Sequence, residues 1–131
     1  MSNVRIGLLG AGRIAQSAHL PAISKCAGVE LVGLYDPSPL LSERVSRRYA
    51  VQSYGDMDAL LADSTIDAVV VAVPDRFHFS LAAAALKAGK HVLVEKPLAG
   101  TLVESQQLVA LAKTSGMVLQ VGAMKRHDPG V

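Results

Sequence analysis

The sequence predicts a doubly wound α/β domain on a parallel sheet, and three observations carry that expectation. The segments Ile6-Gly7-Leu8-Leu9, Ala68-Val69-Val70-Val71-Ala72-Val73 and Val92-Leu93-Val94 lack the polar alternation of a one-sided sheet; strands covered by helices on both faces read this way. Segments of helical period lie between them, and the connections are short. At 131 residues the chain makes one domain with a sizeable core. No internal repeat, low-complexity tract or linker divides it.

The first strand runs from Val4 into Gly10-Ala11-Gly12-Arg13-Ile14-Ala15, a G-x-G-x-x-A turn. Gly10 permits a tight exit from the strand, and Gly12 lets a pyrophosphate approach main chain that a β-carbon would block. Ala15 keeps the following helix close to the sheet. A helix opening at Arg13 and Ile14 points its unpaired N–H groups and the positive end of its dipole at phosphate. Glycines also gather in ordinary tight turns, so the motif takes its meaning from context. The context is the second strand, which ends in Asp36, 21 positions beyond Ala15. A carboxylate there accepts hydrogen bonds from adenosine ribose hydroxyls; its plainer role is a turn carboxylate ahead of Pro37.

In chain order, the first helix is expected from Arg13 to about His19, with a break at Pro21, which cannot donate inside a helix. A second short turn follows to Lys25 and closes at Gly28. His19 reads as a capping or exposed imidazole. After Asp36, Ser38 caps a helix with Pro39 at its first position. Leu41, Val45 and Tyr49 share one face of it, and Arg44, Arg47 and Arg48 a solvated side. Val51 to Tyr54 reads as a short strand, and Asp56 as the cap of a brief helix through Leu60 and Leu61. Ala68 to Val73 is the central strand, stopped by Pro74. An alanine-rich helix is expected from Phe77 to Ala88, with Gly89 as its stop. His91 to Val94 is the next strand, ending at Glu95-Lys96-Pro97. Thr101 and Glu104 form a capping box for a helix to Ser115, with Gly116 beyond its end, and Met117 to Val121 is the sixth strand. Right-handed crossovers between such units give the order 3-2-1-4-5-6, a Rossmann-type sheet.

Composition narrows the function. Half the residues are hydrophobic and 4% are aromatic, the formal net charge is +2, and the basic residues are scattered. That argues against a nucleic-acid surface. Strand-like residues begin almost at Met1, so no secretory leader is expected, and no apolar run approaches the ~20 residues of a membrane span. A soluble cytoplasmic protein follows as the expectation. Cys26, the lone cysteine, has no disulfide partner and no metal-ligand spacing, and a buried structural thiol is its expected role.

The motifs together resemble the glucose-fructose oxidoreductase and inositol dehydrogenase family of NAD(P)-dependent enzymes. The resemblance covers nearly the whole chain. It rests on Gly10-Ala11-Gly12-Arg13-Ile14-Ala15, on Asp36, on Val73-Pro74-Asp75-Arg76-Phe77-His78 and, most specifically, on Glu95-Lys96-Pro97-Leu98-Ala99. It implies an oxidoreductase acting on a hydroxyl or carbonyl of a sugar, polyol or related compound. Glu95 and Lys96 would lie beside the nicotinamide ribose and the substrate, with Lys96 contacting the reacting oxygen; a salt bridge to a neighbouring carboxylate is its plainer role. Pro74 and His78 match a T-P-x-x-x-H segment that lines the cofactor. Val73 stands where that segment has Thr, so a hydroxyl contact is lost. His78 divides evenly between packing at a helix start and touching cofactor. Asp36 favours NAD, because a carboxylate repels the extra phosphate of NADP, although NADP stays open.

By the same resemblance, residues 1–122 form the dinucleotide-binding domain. Residues 123–131, with His127 in place of a usual aromatic, begin a crossing segment toward a second domain that this chain does not contain. That domain would supply the substrate pocket and an oligomer interface, so turnover is not expected from these residues alone, and homo-oligomer formation is an expectation of the family. Two other readings stand beside this one. A non-catalytic NAD-binding or sensing module would keep the glycine turn and Asp36 without needing Lys96. An S-adenosylmethionine methyltransferase also joins a glycine turn to an acid after its second strand, and the Glu95-Lys96-Pro97 segment counts against it.

Overall fold

The computed structural model describes residues 3–122; the expected crossing segment lies outside them. Six strands, β1 (Val4–Leu9), β2 (Val29–Tyr35), β3 (Gln52–Ser53), β4 (Ala68–Val71), β5 (His91–Glu95) and β6 (Leu119–Gly122), form one sheet in the order β3-β2-β1-β4-β5-β6. Every pairing is parallel, and the expected order holds.

Side-chain parity sends alternate residues to opposite faces. Ile6, Leu8, Val70 and Ala72 pack with Ala15, Leu20 and Val45 on the face that carries the first two helices. Leu9, Val69, Val71, Val92 and Val94 pack with Leu60, Leu86 and Leu108 on the other. Two covered faces are why these strands read as continuous apolar runs.

The helices are α1 (Leu20–Lys25), α2 (Pro39–Tyr49), α3 (Met57–Ala62), α4 (His78–Lys87) and α5 (Leu102–Ser115). Three of them carry the expected side-chain N-caps, although at Thr101 only the half of the capping box made by its hydroxyl forms, without a return bond from the Thr101 N–H to the Glu104 carboxylate among the described residues. Ser38 Oγ accepts from the Leu41 N–H at 3.3 Å, Asp56 Oδ1 from Ala59 at 2.7 Å and Thr101 Oγ1 from Glu104 at 3.1 Å. Among the described residues no helix is long and apolar enough to cross a membrane.

Three expectations need correction. The helix does not break at Pro21: a π turn, Ala15–His19, runs directly into α1. Pro21 has no N–H to offer the carbonyl four residues back. The turn widens instead, with the Leu20 N–H reaching the Ala15 carbonyl five residues back, and the helix continues. Cys26 is exposed rather than buried, because it caps α1 in extended backbone on the turn into β2. The third strand shrinks to two residues paired with Gly33 and Leu34.

A polar knot ties the connections at the amino ends of β4 and β5. Tyr54 Oη donates to Asp63 Oδ2 at 2.5 Å, and Thr65 donates to Asp63 Oδ1 through its N–H and hydroxyl. The Tyr54 bond first, and the Thr65 bonds after it, hold the Asp63 carboxyl at about 2, below its usual 3.8. Burial, then the bond to Asp63, pushes the Tyr54 phenol up to about 12. Buried Lys90 completes the knot, its ammonium donating to the carbonyls of Asp63 and Ile66 at 2.8 and 2.7 Å.

A depressed carboxyl stabilises the fold above its unfolded value and loses that contribution as pH falls through its folded value. The Asp63 contribution is therefore complete near neutrality and disappears between 3.8 and about 2. Tyr54→Phe should cost about 1 kcal/mol in urea unfolding near pH 7, and that cost should shrink toward about pH 2. An equal cost at both ends would show that the hydroxyl does not act through the Asp63 carboxylate. Separately, Ala50 ends α2 in the left-handed region at φ 56°, where its β-carbon is strained. Ala50→Gly should raise stability by about 0.5 kcal/mol after glycine's greater unfolded-state freedom is subtracted, read as a higher urea midpoint.

Candidate dinucleotide site

The chain runs outward from β1 to β2 and β3 and then returns to place β4 against the other side of β1. That reversal opens a crevice at the carboxyl ends of β1 and β4, where open α/β sheets take their ligands.

The glycine turn occupies the crevice. Gly10 has φ +102°, and a β-carbon there would lie 2.3 Å from the Ala72 carbonyl oxygen, so only glycine closes this turn. Gly12 is different: nothing lies within 4 Å of where its β-carbon would be. Nothing in the fold demands glycine at this position, and the main chain there is open to approach from the crevice. Among the described residues the amides of Gly12, Arg13 and Ile14 donate to no protein oxygen, and Gln16 is the first to bond back, to the Gly12 carbonyl at 3.0 Å. Arg13 is exposed and Ile14 half-buried. The open amides and the helix dipole suit an anion.

Asp36 closes the second side. Its Oδ2 accepts from the Ala11 N–H at 2.8 Å and its Oδ1 from Ser38 at 2.9 Å. It is thus a turn carboxylate and a brace on the glycine loop at once. Each oxygen keeps a further lone pair, and the residue is part of the crevice lining.

A cavity of about 460 Å³ joins Gly10, Gly12 and Asp36 to Val73 and Pro74. The rest of its wall is apolar, with Tyr35, Met57, Phe77 and Leu81 prominent. These four were not singled out from the sequence. Met57 and Leu81 belong to helices distant in sequence from the glycine turn, and no local signal marks them. Phe77 begins nothing helical of its own; it ends a 3-10 turn, Asp75–Phe77, ahead of α4, with the Arg76 guanidinium 4.8 Å from its ring centroid.

His78 does not line this cavity. Its side chain is 1% exposed, with Nδ1 2.6 Å from the Pro97 carbonyl oxygen and Nε2 2.9 Å from that of Val73. Packing and hydrogen bonding beneath the site describe it better than cofactor contact.

Glu95 and Lys96 lie at the end of β5, apart from the cavity lining. Lys96 is exposed, with no carboxylate within 4.0 Å among the described residues, and its peptide bond to Pro97 is cis. Glu95 has the parity of Leu93, whose side chain packs on the α1 face, and Glu95 Oε1 lies 2.8 Å from His19 Nε2. The contact has ionic distance without hydrogen-bond alignment, and His19 Nε2 is buried with no hydrogen-bond partner. His19 is therefore neither cap nor exposed imidazole. The π turn carries it inward to the site's edge, a placement that strand parity could have signalled for Glu95 but no local rule for His19. Among the described residues no cluster of His, Cys, Asp or Glu could hold a metal ion.

The comparisons with known proteins follow this geometry. The chain is 34% identical over 127 residues to a scyllo-inositol 2-dehydrogenase (NAD(+)) of Bacillus subtilis, covering 96% of this chain and 37% of that protein. It is 32% identical over 133 residues to a UDP-N-acetylglucosamine 3-dehydrogenase of Acidithiobacillus ferrooxidans, covering 100% of this chain and 40% of the relative. The crystal structure of KijD10, a 3-ketoreductase from Actinomadura kijaniata in complex with NADP, superposes with a TM-score of 0.93 at 31% identity, over 98% of this chain and 41% of that one. The chain thus spans well under half the length of each. A family profile described as an oxidoreductase family with an NAD-binding Rossmann fold matches residues 4–123, and the chain belongs to that family.

Proposed function

We propose that these residues form the NAD(P)-binding part of an oxidoreductase that moves a hydride between nicotinamide and a hydroxyl or carbonyl of a sugar, polyol or related compound. One observation carries the cofactor assignment. Gly12, with open space over it and an undonated amide, borders a single crevice with the Asp36 carboxylate, and the undonated amides of Arg13 and Ile14 follow it directly in the chain. Family membership sets the methyltransferase reading aside. The sugar-type substrate rests on the relatives, which are named for inositol and for a nucleotide sugar.

In this reading Gly12, Arg13 and Ile14 receive the pyrophosphate on their amides. Asp36 keeps its bonds to Ala11 and Ser38 and accepts ribose hydroxyls with its remaining lone pairs. Val73 and Pro74 wall the crevice, and Val73 brings van der Waals contact where a hydroxyl would have hydrogen-bonded. A bound nicotinamide supplies or accepts the hydride. Lys96, beyond β5, extends its ammonium toward the substrate oxygen, stabilises negative charge there and exchanges a proton with it. Glu95 is steadied from below by His19. Positioning of substrate and exclusion of water need a second wall, so we expect cofactor binding without turnover from these 131 residues.

Calorimetric titration should give tighter binding of NADH than of NADPH, since the Asp36 carboxylate repels a 2′-phosphate. Asp36→Ala should weaken NADH about tenfold or more and narrow the gap between the two. Equal affinities in the unsubstituted chain would overturn the NAD preference, and binding of neither would overturn the cofactor assignment. In the longest natural chain that contains these residues, Lys96→Ala should lower kcat/KM by about 10²–10³. Unchanged turnover would remove the catalytic role from Lys96, and a natural chain that binds NADH and turns over nothing would favour the sensing module.

A further inference from the structure

Among the described residues, buried polar side chains are Ser42, Ser46, His78 and Lys90, and of these His78 is the one whose partners are both backbone carbonyls of the Val73 and Pro97 segments. Its ring is 1% exposed at the start of α4, the helix whose Ala82 and Leu86 are buried in the core on that face. A buried imidazole is costly unless its polar atoms are matched. Here both are, and by the same kind of group: Nδ1 meets the Pro97 carbonyl oxygen at 2.6 Å and Nε2 the Val73 carbonyl oxygen at 2.9 Å. A carbonyl only accepts. A neutral imidazole offers one N–H and one bare nitrogen, and the bare nitrogen would face a carbonyl lone pair. Both contacts are satisfied together only when each ring nitrogen carries a hydrogen. The exposed Asp75 carboxylate, 4.0 Å from Nε2, is the acid that faces the ring.

The two carbonyls belong to unequal partners. The Val73 side is anchored independently, since the neighbouring Ala72 N–H donates to the Leu9 carbonyl at 2.8 Å and the side chain of Val73 packs against the core. The Pro97 side is an exposed turn, held from the sheet by the Lys96 N–H on the Gly122 carbonyl at 3.0 Å. His78 supplies the second hold, one residue beyond Lys96 and from the opposite direction.

We propose that His78 is a positioning residue: with an N–H on both ring nitrogens, it hangs the Lys96-Pro97 turn from the anchored end of β4 and so fixes the turn against the nicotinamide end of the cofactor. The second half of this proposal rests on the cofactor assignment above. The first half does not.

The test has two arms on the 131-residue chain. In the first, ¹H–¹⁵N spectra of the ligand-free chain should show two one-bond N–H correlations from the His78 ring near neutral pH. One correlation with one bare ring nitrogen would overturn the double tie. In the second, NADH and ADP-ribose, which lacks the nicotinamide, are titrated into the unsubstituted chain and His78→Phe, which fills the volume without a donor. NADH affinity should fall about tenfold, the worth of a hydrogen bond to a charged group, while ADP-ribose stays within about twofold. Equal losses for both, in a variant whose amide spectrum is that of the native fold, would reduce His78 to a structural role. If neither compound binds the unsubstituted chain, the cofactor assignment and the positioning role fall together, and the first arm still decides the tie. Should His78→Phe not fold, His78→Asn, which retains one donor, serves with the same two outcomes.

Discussion

The main chain at Gly10 passes so close to the Ala72 carbonyl that a β-carbon would sit 2.3 Å from its oxygen, and the rest of the site depends on that approach. With any other residue the end of β1 would be levered away from β4. The pairing of Leu9 with Val71, and the Ala72 N–H on the Leu9 carbonyl beyond it, would then be lost. Those bonds bring the glycine turn and the Val73-Pro74 segment to opposite sides of one crevice. The same turn sends the Gly10 N–H to the Tyr35 carbonyl at 2.8 Å, which draws in the end of β2 and sets Asp36 under the Ala11 amide. Three strand ends are thus gathered around one residue without a side chain.

Most of the fold was legible because its signals are local or periodic. Ser38, Asp56 and Thr101 announce helix starts within three residues of themselves, and the unbroken apolar run at Val69 to Val71 follows from cover on both faces. The misreadings fall where a local rule has more than one physical solution. Proline forbids one hydrogen bond, and a break satisfies that prohibition no better than the π turn the chain adopts. A lone apolar thiol is usually buried, yet Cys26 stands on a turn whose path is set by α1 and β2. The cavity wall was illegible for another reason. Met57 and Leu81 come to line one cavity with Gly12 only through tertiary packing, and nothing in their own neighbourhoods marks them.

His78 and Lys90 show the same limit in polar form. Each is a buried group matched by backbone carbonyls far away in sequence: Pro97 for His78, Asp63 and Ile66 for Lys90. A sequence displays the donor but not the acceptor, since every residue carries a carbonyl. The burial of His78 is therefore explained only once β4 and β5 lie side by side and their carboxyl-terminal turns come within reach of one imidazole.

The charges around the crevice divide into engaged and free. Asp36 is braced by two backbone amides and Glu95 is faced by His19, whereas the side chains of Arg13 and Lys96 extend exposed. Acids already engaged repel an incoming anion less than bare ones, and exposed cations attract it. Under the proposed function, the open amides at Gly12, Arg13 and Ile14 would offset the one carboxylate that lines the crevice, Asp36, where a pyrophosphate would lie. The two acids also differ in placement. Asp36 lines the cavity, and Glu95 is turned by strand parity toward the α1 face, away from the α4 face where His78 holds the Pro97 carbonyl. The backbone around Lys96 is then held at two points, its own N–H on the Gly122 carbonyl and the Pro97 carbonyl on His78, while its side chain extends exposed; under the proposed function this would leave the ammonium free to meet developing charge from a fixed base.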